Sequence, residues 1–415
     1  MNVAFQTFGC RLNKTEALDQ EARLLAEGHA IVNLDKGLSP LAQGLSPDVI
    51  VVRCCSVTAK AERDCRRAIA RLRAQFPSAR IEITGCLADQ SPNPANSLPH
   101  SPAIPQSIPL RTARAYLKTQ DGCSGKCAFC IVPSFRGKPR SIPFDQILAR
   151  ARAFLSAGYR ELVVTGCNLA LYRDSGHGLP DVLSALATVG TDPAPVGTDP
   201  APAHRVRLSS LEPGICDDAV LDAFAAHPNI CRFLHLSVQS GSDIVLKRMN
   251  RPYAIESVDR FCDDAAARLG ERLSLGADII TGFPGETEDD FAATLGFVRR
   301  HPFSNLHVFP YSERPGTPAA DMDGKVPPAV RRARARELDA LGREKRTAFA
   351  RSFLGRTVEV CAERSGSGWT GEYLKCKVLG AGRDPKDFPV RRSLVAARVV
   401  RADGDRLTAE ATARG

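Results

Sequence analysis

The chain has 415 residues, 43% of them hydrophobic and 25% charged, with a formal net charge of +10 and a pI near 9.0. That length supports two or three domains with cores of their own, and the composition excludes an intrinsically disordered polymer. No apolar run reaches membrane-spanning length, and MNVAFQTFGC lacks the blocks of a secretory signal, so a cytoplasmic protein with reduced thiols is expected. Fourteen cysteines then read as metal or cluster ligands rather than disulfides. The basic balance favours a polyanionic partner, nucleic acid among them.

Residues 1–90 alternate short β-branched runs with helical patterns: VAFQTF, LNKTEALDQEARLLAEGH, DVIVV, AKAERDCRRAIARLRAQF and RIEIT. This βαβαβ order predicts a domain built on a small parallel sheet. Residues 91–110, with six prolines in twenty positions, read as a linker. From residue 111 to 348 the alternation resumes on a larger scale. AYLKTQ, ELVVTG, RVRLSSLEP, FLHLSVQSG, SLGADIITG and NLHVFPY are six strand candidates, which suits a partial or complete α/β barrel with working residues at strand C-termini. Inside it, VGTDPAPVGTDPAP (Val189 to Pro202) is a tandem heptapeptide, too short for a solenoid and read as a surface loop. After a long basic helix, residues 349–415 carry RTVEVCAE, GEYLKCKVLG, FPVRRSLVAARVVR and RLTAEATA, short strands that predict a small all-β barrel. The fold class is therefore α/β: an N-terminal parallel-sheet domain, a partial α/β barrel and a C-terminal all-β barrel.

Two sets of cysteines carry chemistry. Cys10 follows VAFQTF, Cys55 follows DVIVV and Cys86 follows RIEIT. In a parallel sheet those strand ends share one edge, so three thiols distant in sequence converge. Cys54 competes with Cys55, and spacing does not choose between them. The second set is DGCSGKCAFC, residues 121–130, with Cys123, Cys127 and Cys130 at C-x-x-x-C-x-x-C spacing. Structural zinc wants four closed ligands and no second pair follows. Three thiolates on one loop imply an iron-sulfur cluster with one open iron, and Gly122 and Gly125 let the loop wrap tightly. The remaining cysteines at 65, 167, 216, 231, 262, 361 and 376 read as buried fillers or unpaired thiols.

That spacing after the first barrel strand resembles the radical SAM enzymes. Together with TFGCRLNKTE, CSVT, TGCLAD, RAYLKTQDGCSGKCAFCIVPSFRGKPRS, VVTGCNL, RLSSLEP, LHLSVQSGSDIVLKRMNR, DIITGFPGETEDDF and HVFPYSERPGTPAA, it makes nearly the whole chain resemble the radical SAM methylthiotransferase family. The resemblance implies two 4Fe-4S clusters. Cys123, Cys127 and Cys130 would hold the one that binds S-adenosyl-L-methionine; Cys10, Cys55 and Cys86 would hold an auxiliary one. Cys55 is chosen because C-S-V-T matches the family's C-x-V-T; the family's preceding Asn-Thr is Arg53-Cys54 here. Thr165, Gly166 and Asn168 match where such enzymes bind the methionine amino group, Gln239 and Ser240 the ribose, and Gly282 the adenine. For GFPGETEDDF the competing reading is an ordinary helix N-terminus.

The chemistry implied is reductive cleavage of S-adenosylmethionine, hydrogen abstraction by the resulting 5′-deoxyadenosyl radical, and delivery of CH3S to the substrate carbon. The C-terminal barrel resembles the RNA-binding TRAM module, with Glu372 where that module has Asn. Trp369 or Tyr373 stacking on an unpaired base and phosphate contacts from residues 328–346 are the corresponding expectations; a solvated amphipathic face competes for that helix. FGCRLN resembles the subgroup acting on N6-threonylcarbamoyladenosine at tRNA position 37. Partners are then the tRNA anticodon stem-loop and a reduced flavodoxin or ferredoxin, with no membrane and a monomeric enzyme. The alternatives are N6-isopentenyladenosine in tRNA, a ribosomal-protein aspartate, or an RNA-binding protein without catalysis.

Overall fold

A computed structural model describes residues 1–32, 34, 46–86, 113–190, 204–214, 218–363, 366–380 and 393–412. The proline-rich segment 91–110, nearly all of the tandem heptapeptide and Cys216 lie outside the described residues.

The first unit comprises β1 (Asn2–Thr7), α1 (Arg11–Ala26), β2 (Ala30–Val32), β3 (Val49–Cys54), α2 (Ala59–Gln75) and β4 (Arg80–Gly85). Its four strands are all parallel, in the order β2-β1-β3-β4. β3 is buried along its whole length, as expected for a strand covered on both faces. Thr58 starts α2 by accepting the Ala61 N–H, an N-cap that satisfies an otherwise orphaned donor.

The second unit begins with β5 (Arg114–Lys118) and a two-residue ribbon, β6 (Gln120–Asp121), followed by α3 (Val132–Arg136) and β7 (Arg140–Ser141). Then come α4 (Phe144–Ser156), β8 (Glu161–Thr165), α5 (Leu179–Thr188), β9 (Arg205–Leu208), β10 (Ser210–Leu211) and α6 (Asp218–Ala226). It continues with β11 (Phe233–Gln239), α7 (Asp243–Arg248), α8 (Ile255–Leu269), β12 (Ser274–Thr281), α9 (Glu288–Arg300), β13 (Phe303–Pro310) and α10 (Pro328–Arg351). Strands β5-β8-β9 and β10-β11-β12-β13 form two parallel sheets. Only Ser209 separates β9 from β10, so the six expected strands make one bent, open barrel. Alternate residues such as Leu234, Leu236, Leu275, Ala277 and Ile279 pack outward with the helices in one large core, leaving the other face of each strand to the interior.

The third unit is a closed five-stranded barrel: β14 (Thr357–Ala362), β15 (Ser367–Thr370), β16 (Lys375–Leu379), β17 (Leu394–Asp403) and β18 (Arg406–Ala411). β15 is a strand the sequence pattern misses; SGWT is too short and too glycine-rich to signal one. Its hairpin with β16 runs into the N-terminal end of the larger barrel. There Arg207 donates to the carbonyls of Thr370 (2.7 Å) and Gly371 (3.2 Å), and Arg205 to Trp369 (2.5 Å). Both guanidiniums also bind fully buried Glu161.

This docking corrects the expectation of base stacking. Tyr373 stacks on Phe233 at 4.5 Å and on Trp369 at 4.6 Å, with Arg207 and Arg11 over its ring. Glu372, at the Asn position, ion-pairs with Arg272. The basic helix α10 is likewise partly internal. Arg331 donates to Val326 and Tyr311 carbonyls, and Arg334 pairs with Glu286 and Glu288; Arg332, Arg336 and Arg343 remain exposed.

Candidate active site between two cysteine trios

In the first sheet Thr7 lies opposite Arg53, and Arg53 opposite Thr84. The three strand ends are therefore level, and the chain leaves them into Cys10, Cys55 and Cys86. Gly9 (φ +92°) allows the approach: a Cβ there would lie 2.5 Å from Cys55 Cβ and 2.9 Å from its Sγ. Burial pushes the Cys55 thiol up to about 11, and Cys86 and Cys10 are close enough to add to the rise. Cys54 belongs elsewhere. It is wholly buried in the domain core with Cys65, whose proximity adds to a rise driven first by burial. Arg53 donates to Glu16 (2.8 Å) and Gln20 (3.3 Å) of α1.

The second trio rides on the loop between β6 and β7. Gly122 (φ +70°) must be glycine, since a Cβ would sit 2.1 Å from the Lys138 carbonyl oxygen. The Gly125 N–H points at Cys123 Sγ (3.2 Å), and the Ala128 N–H ties the loop to Met249 O (2.9 Å). Burial raises the Cys130 thiol to about 11, and Cys127 and Cys123 add to it. Arg251 donates to Cys127 Sγ at 3.1 Å and pairs with Glu212 at 3.1 Å.

Asn168 joins this group. Its Nδ2 donates to Glu212 Oε2 (2.5 Å) and lies 4.0 Å from Cys123 Sγ, while its Oδ1 is buried without a partner. A buried amide oxygen left unbonded costs about 1–3 kcal/mol. An unpaired acceptor, a carboxylate and a cation gathered beside three thiols fit a zwitterionic ligand such as an amino acid headgroup. Thr165 and Gly166 hold the turn: the Thr165 hydroxyl donates to Leu117 O, and a Cβ on Gly166 would meet Leu169 and Gln120.

Of the other expected contacts, Gln239 closes β11 with φ +72°. Ser240 is turned away from the thiols: its hydroxyl bonds to Thr294 (3.3 Å) and to the Ser242 N–H (3.2 Å). Gly282 (φ +68°) makes room for Arg331 and donates its N–H to Glu286 (2.7 Å). GETEDDF is a capping box in which Thr287 and Asp290 satisfy each other's N–H groups, the ordinary helix start that competed in the sequence. Glu212 was missed; its signal is an acid at a strand end just before the Pro-Gly of RLSSLEPG.

The two trios are joined by a buried ionic junction. Glu16 of α1 accepts from Arg53 (2.8 Å), Lys118 (2.7 Å) and Arg136 (2.8 Å). Asp121, two residues before Cys123, accepts from Lys118 (2.7 Å) and Arg136 (3.2 Å). Arg136 also donates to Asn13 (3.0 Å). Burial pushes the Cys86 thiol up, and Arg136 beside it opposes that rise. Cys167, read as a filler, lies in the same junction, 3.4 Å from Asp121.

These features describe a protein with two thiol-rich sites, each with three cysteines suited to an iron-sulfur cluster, and similarity to known proteins narrows the class. Residues 117–298 match the Radical SAM superfamily and residues 2–103 the Uncharacterized protein family UPF0004. The chain is 32% identical to the threonylcarbamoyladenosine tRNA methylthiotransferase MtaB of Thermotoga maritima, over 100% of this chain and 99% of the relative. It is 31% identical to the MtaB of Bacillus subtilis (91% and 90% covered). It is also 32% identical to the tRNA-2-methylthio-N(6)-dimethylallyladenosine synthase of Corynebacterium jeikeium (87% and 76%). Among solved structures, the fold resembles the radical S-adenosylmethionine methyltransferase TsrM of Kitasatospora setae with cobalamin and a [4Fe-4S] cluster bound. The TM-score is 0.55 and the identity 13%, with 77% of each chain covered. The chain belongs to the radical SAM methylthiotransferase family, whose cofactors are S-adenosyl-L-methionine and 4Fe-4S clusters.

Proposed function

We propose that this enzyme methylthiolates C2 of N6-threonylcarbamoyladenosine at tRNA position 37. The observation that carries the two-cluster chemistry of this reading is the junction itself. Arg136 and Glu16 tie the Cys10–Cys55–Cys86 edge to the Cys123–Cys127–Cys130 loop, so two sulfur sites serve one reaction space. Each trio offers three thiolates to a four-iron cluster, leaving one iron for a non-protein ligand. When bound, the cofactors supply radical formation and the sulfur and methyl groups. The protein's own part is positional. Asn168, Glu212 and Arg251 bind the amino acid headgroup of S-adenosylmethionine. The junction holds the two trios in fixed relation, and the Phe233–Tyr373–Trp369 stack packs the small barrel against the larger one.

The threonylcarbamoyl substrate is supported by FGCRLN and by the names of the relatives matched over most of their length. Lys375 on β16 and Arg406 on β18 lie opposite each other in register, and with Lys377 they project from the small barrel. We assign phosphate contacts to this TRAM-like face. Electrons come from a reduced flavodoxin or ferredoxin. A tRNA substrate and a reduced donor suit work in the cytoplasm; among the described residues no helix is long and apolar enough to cross a membrane. Nucleoside mass spectrometry of tRNA from a deletion strain tests the substrate: 2-methylthio-N6-threonylcarbamoyladenosine should vanish. Its persistence, or loss of the 2-methylthio-isopentenyl nucleoside instead, overturns the assignment.

A further inference from the structure

The barrel interior holds a polar cluster that the proposed chemistry does not use. His235 of β11, Asp278 of β12 and His307 of β13 stand on adjacent strands. Their sequence neighbours Leu234, Leu236, Ala277 and Ile279 face the outer core, so strand alternation turns these three inward. Asp278 lies directly opposite His307, and His235 opposite Gly276, two residues away.

His235 Nε2 is 3.0 Å and His307 Nδ1 3.3 Å from the same carboxylate oxygen, Asp278 Oδ1, and the three atoms all lie within 4.8 Å of one another. A metal with donors at about 2.0–2.1 Å sets neighbouring donor atoms roughly 3.0–3.4 Å apart. The two separations from Asp278 Oδ1 match that spacing, and a bound metal would draw the two imidazole nitrogens together to complete one face of a coordination polyhedron. Gly276 prepares the site, since a Cβ there would lie 2.4 Å from His235 Nδ1; only glycine admits the ring. His235 is 3% exposed, whereas the His307 side chain is 47% exposed, so one edge is built in and the other is open to entering ions.

We propose that His235, Asp278 and His307 form a divalent-cation site inside the barrel, separate from both cysteine trios. Two imidazoles and one carboxylate suit zinc or ferrous iron and leave coordination positions free for water or an oxygen donor. A bound dication outweighs the single carboxylate and makes this part of the lining positive.

The test uses reconstituted enzyme carrying its full iron complement, dialysed against zinc and then against metal-free buffer, with zinc and iron counted together by mass spectrometry. About one zinc per chain is expected to remain, with iron unchanged. His307→Ala, on the exposed side of the site, should lower retained zinc at least tenfold while keeping iron and fold. Asp278→Asn should do the same, and circular dichroism shows whether it folds. No retained zinc in the parent enzyme overturns the site. So does equal zinc in His307→Ala, or zinc gained only as iron is lost, which would mean exchange at the cysteines. A hydrogen-bonded His–Asp–His relay without metal corresponds to the first of these results.

Discussion

Glu16→Gln removes the one carboxylate on which Arg53, Lys118 and Arg136 converge at 2.7–2.8 Å. The side chain is only 10% exposed. Burial opposes its charge, yet Arg136 and Lys118 outweigh that and hold its pKa below the ordinary value. After substitution, Lys118 and Arg136 keep Asp121 as a close carboxylate, while Arg53 keeps its bond to Gln20. Breaking a buried pair by removing one partner costs about 3–5 kcal/mol. The amide keeps an acceptor oxygen, so the lower end applies. About 3 kcal/mol corresponds to roughly a hundredfold in an opening equilibrium. Hydrogen exchange reads this locally: peptides from α1 and α3 should lose about a hundredfold protection, while those from β12 and β13 keep theirs. Activity should fall with the protection, because the two trios lose their fixed relation. If α1 protection stays within about threefold of the parent, the junction does not tie the trios together and the reasoning fails.

Cys55→Ala should cut reconstituted iron from about eight to about four per chain, whereas Cys54→Ala should leave it near eight; equal losses would mean that the core cysteine is a ligand. Asn168→Ala removes the bond to Glu212 beside Cys123 and should weaken S-adenosylmethionine binding about tenfold by equilibrium dialysis, with iron content unchanged as the control. Glu161 has its pKa lowered: burial opposes ionisation, but Arg207 and Arg205 overcome it. Its contribution is therefore fully present above the unfolded carboxylate value, about 4.3, and is lost as pH falls from there through the lower folded value. Fluorescence of Trp369, the single tryptophan, in iron-free chain should report undocking of the small barrel in that acid range. Glu161→Gln should flatten the pH dependence; an unchanged profile would assign the transition to other groups.

The positions of most strands are legible in the sequence because each carries a local signal, a β-branched run; Cys10, Cys55 and Cys86 come to one sheet edge because each follows such a run, whereas Cys123, Cys127 and Cys130 sit together because one ten-residue stretch, 121–130, holds them. Where a choice depends on facing, the signal fails. VIVVRC is buried throughout, so no polar alternation marks its faces, and nothing local separates Cys54 from Cys55; packing against Cys65 does. Trp369 and Tyr373 present the same difficulty. Aromatic residues on a basic hairpin suit a base, and the competing partner, Phe233, lies more than a hundred residues away on another strand.

The junction was hidden for a related reason. Asn13, Glu16 and Gln20 lie at three- and four-residue intervals, which puts them on one stripe of α1, and such a stripe ordinarily reads as a solvated face. It is internal here because Lys118 and Arg136 arrive from a different domain with the opposite charge. A buried ionic cluster of this kind is weak as a source of stability, since desolvation offsets much of its Coulombic gain. Its value lies in orientation: fork-shaped guanidiniums fix direction as well as distance. Two cluster sites that would act on one substrate need that fixed geometry more than they need stability. Polar residues therefore stand at this boundary, where a sequence pattern alone would have placed solvent.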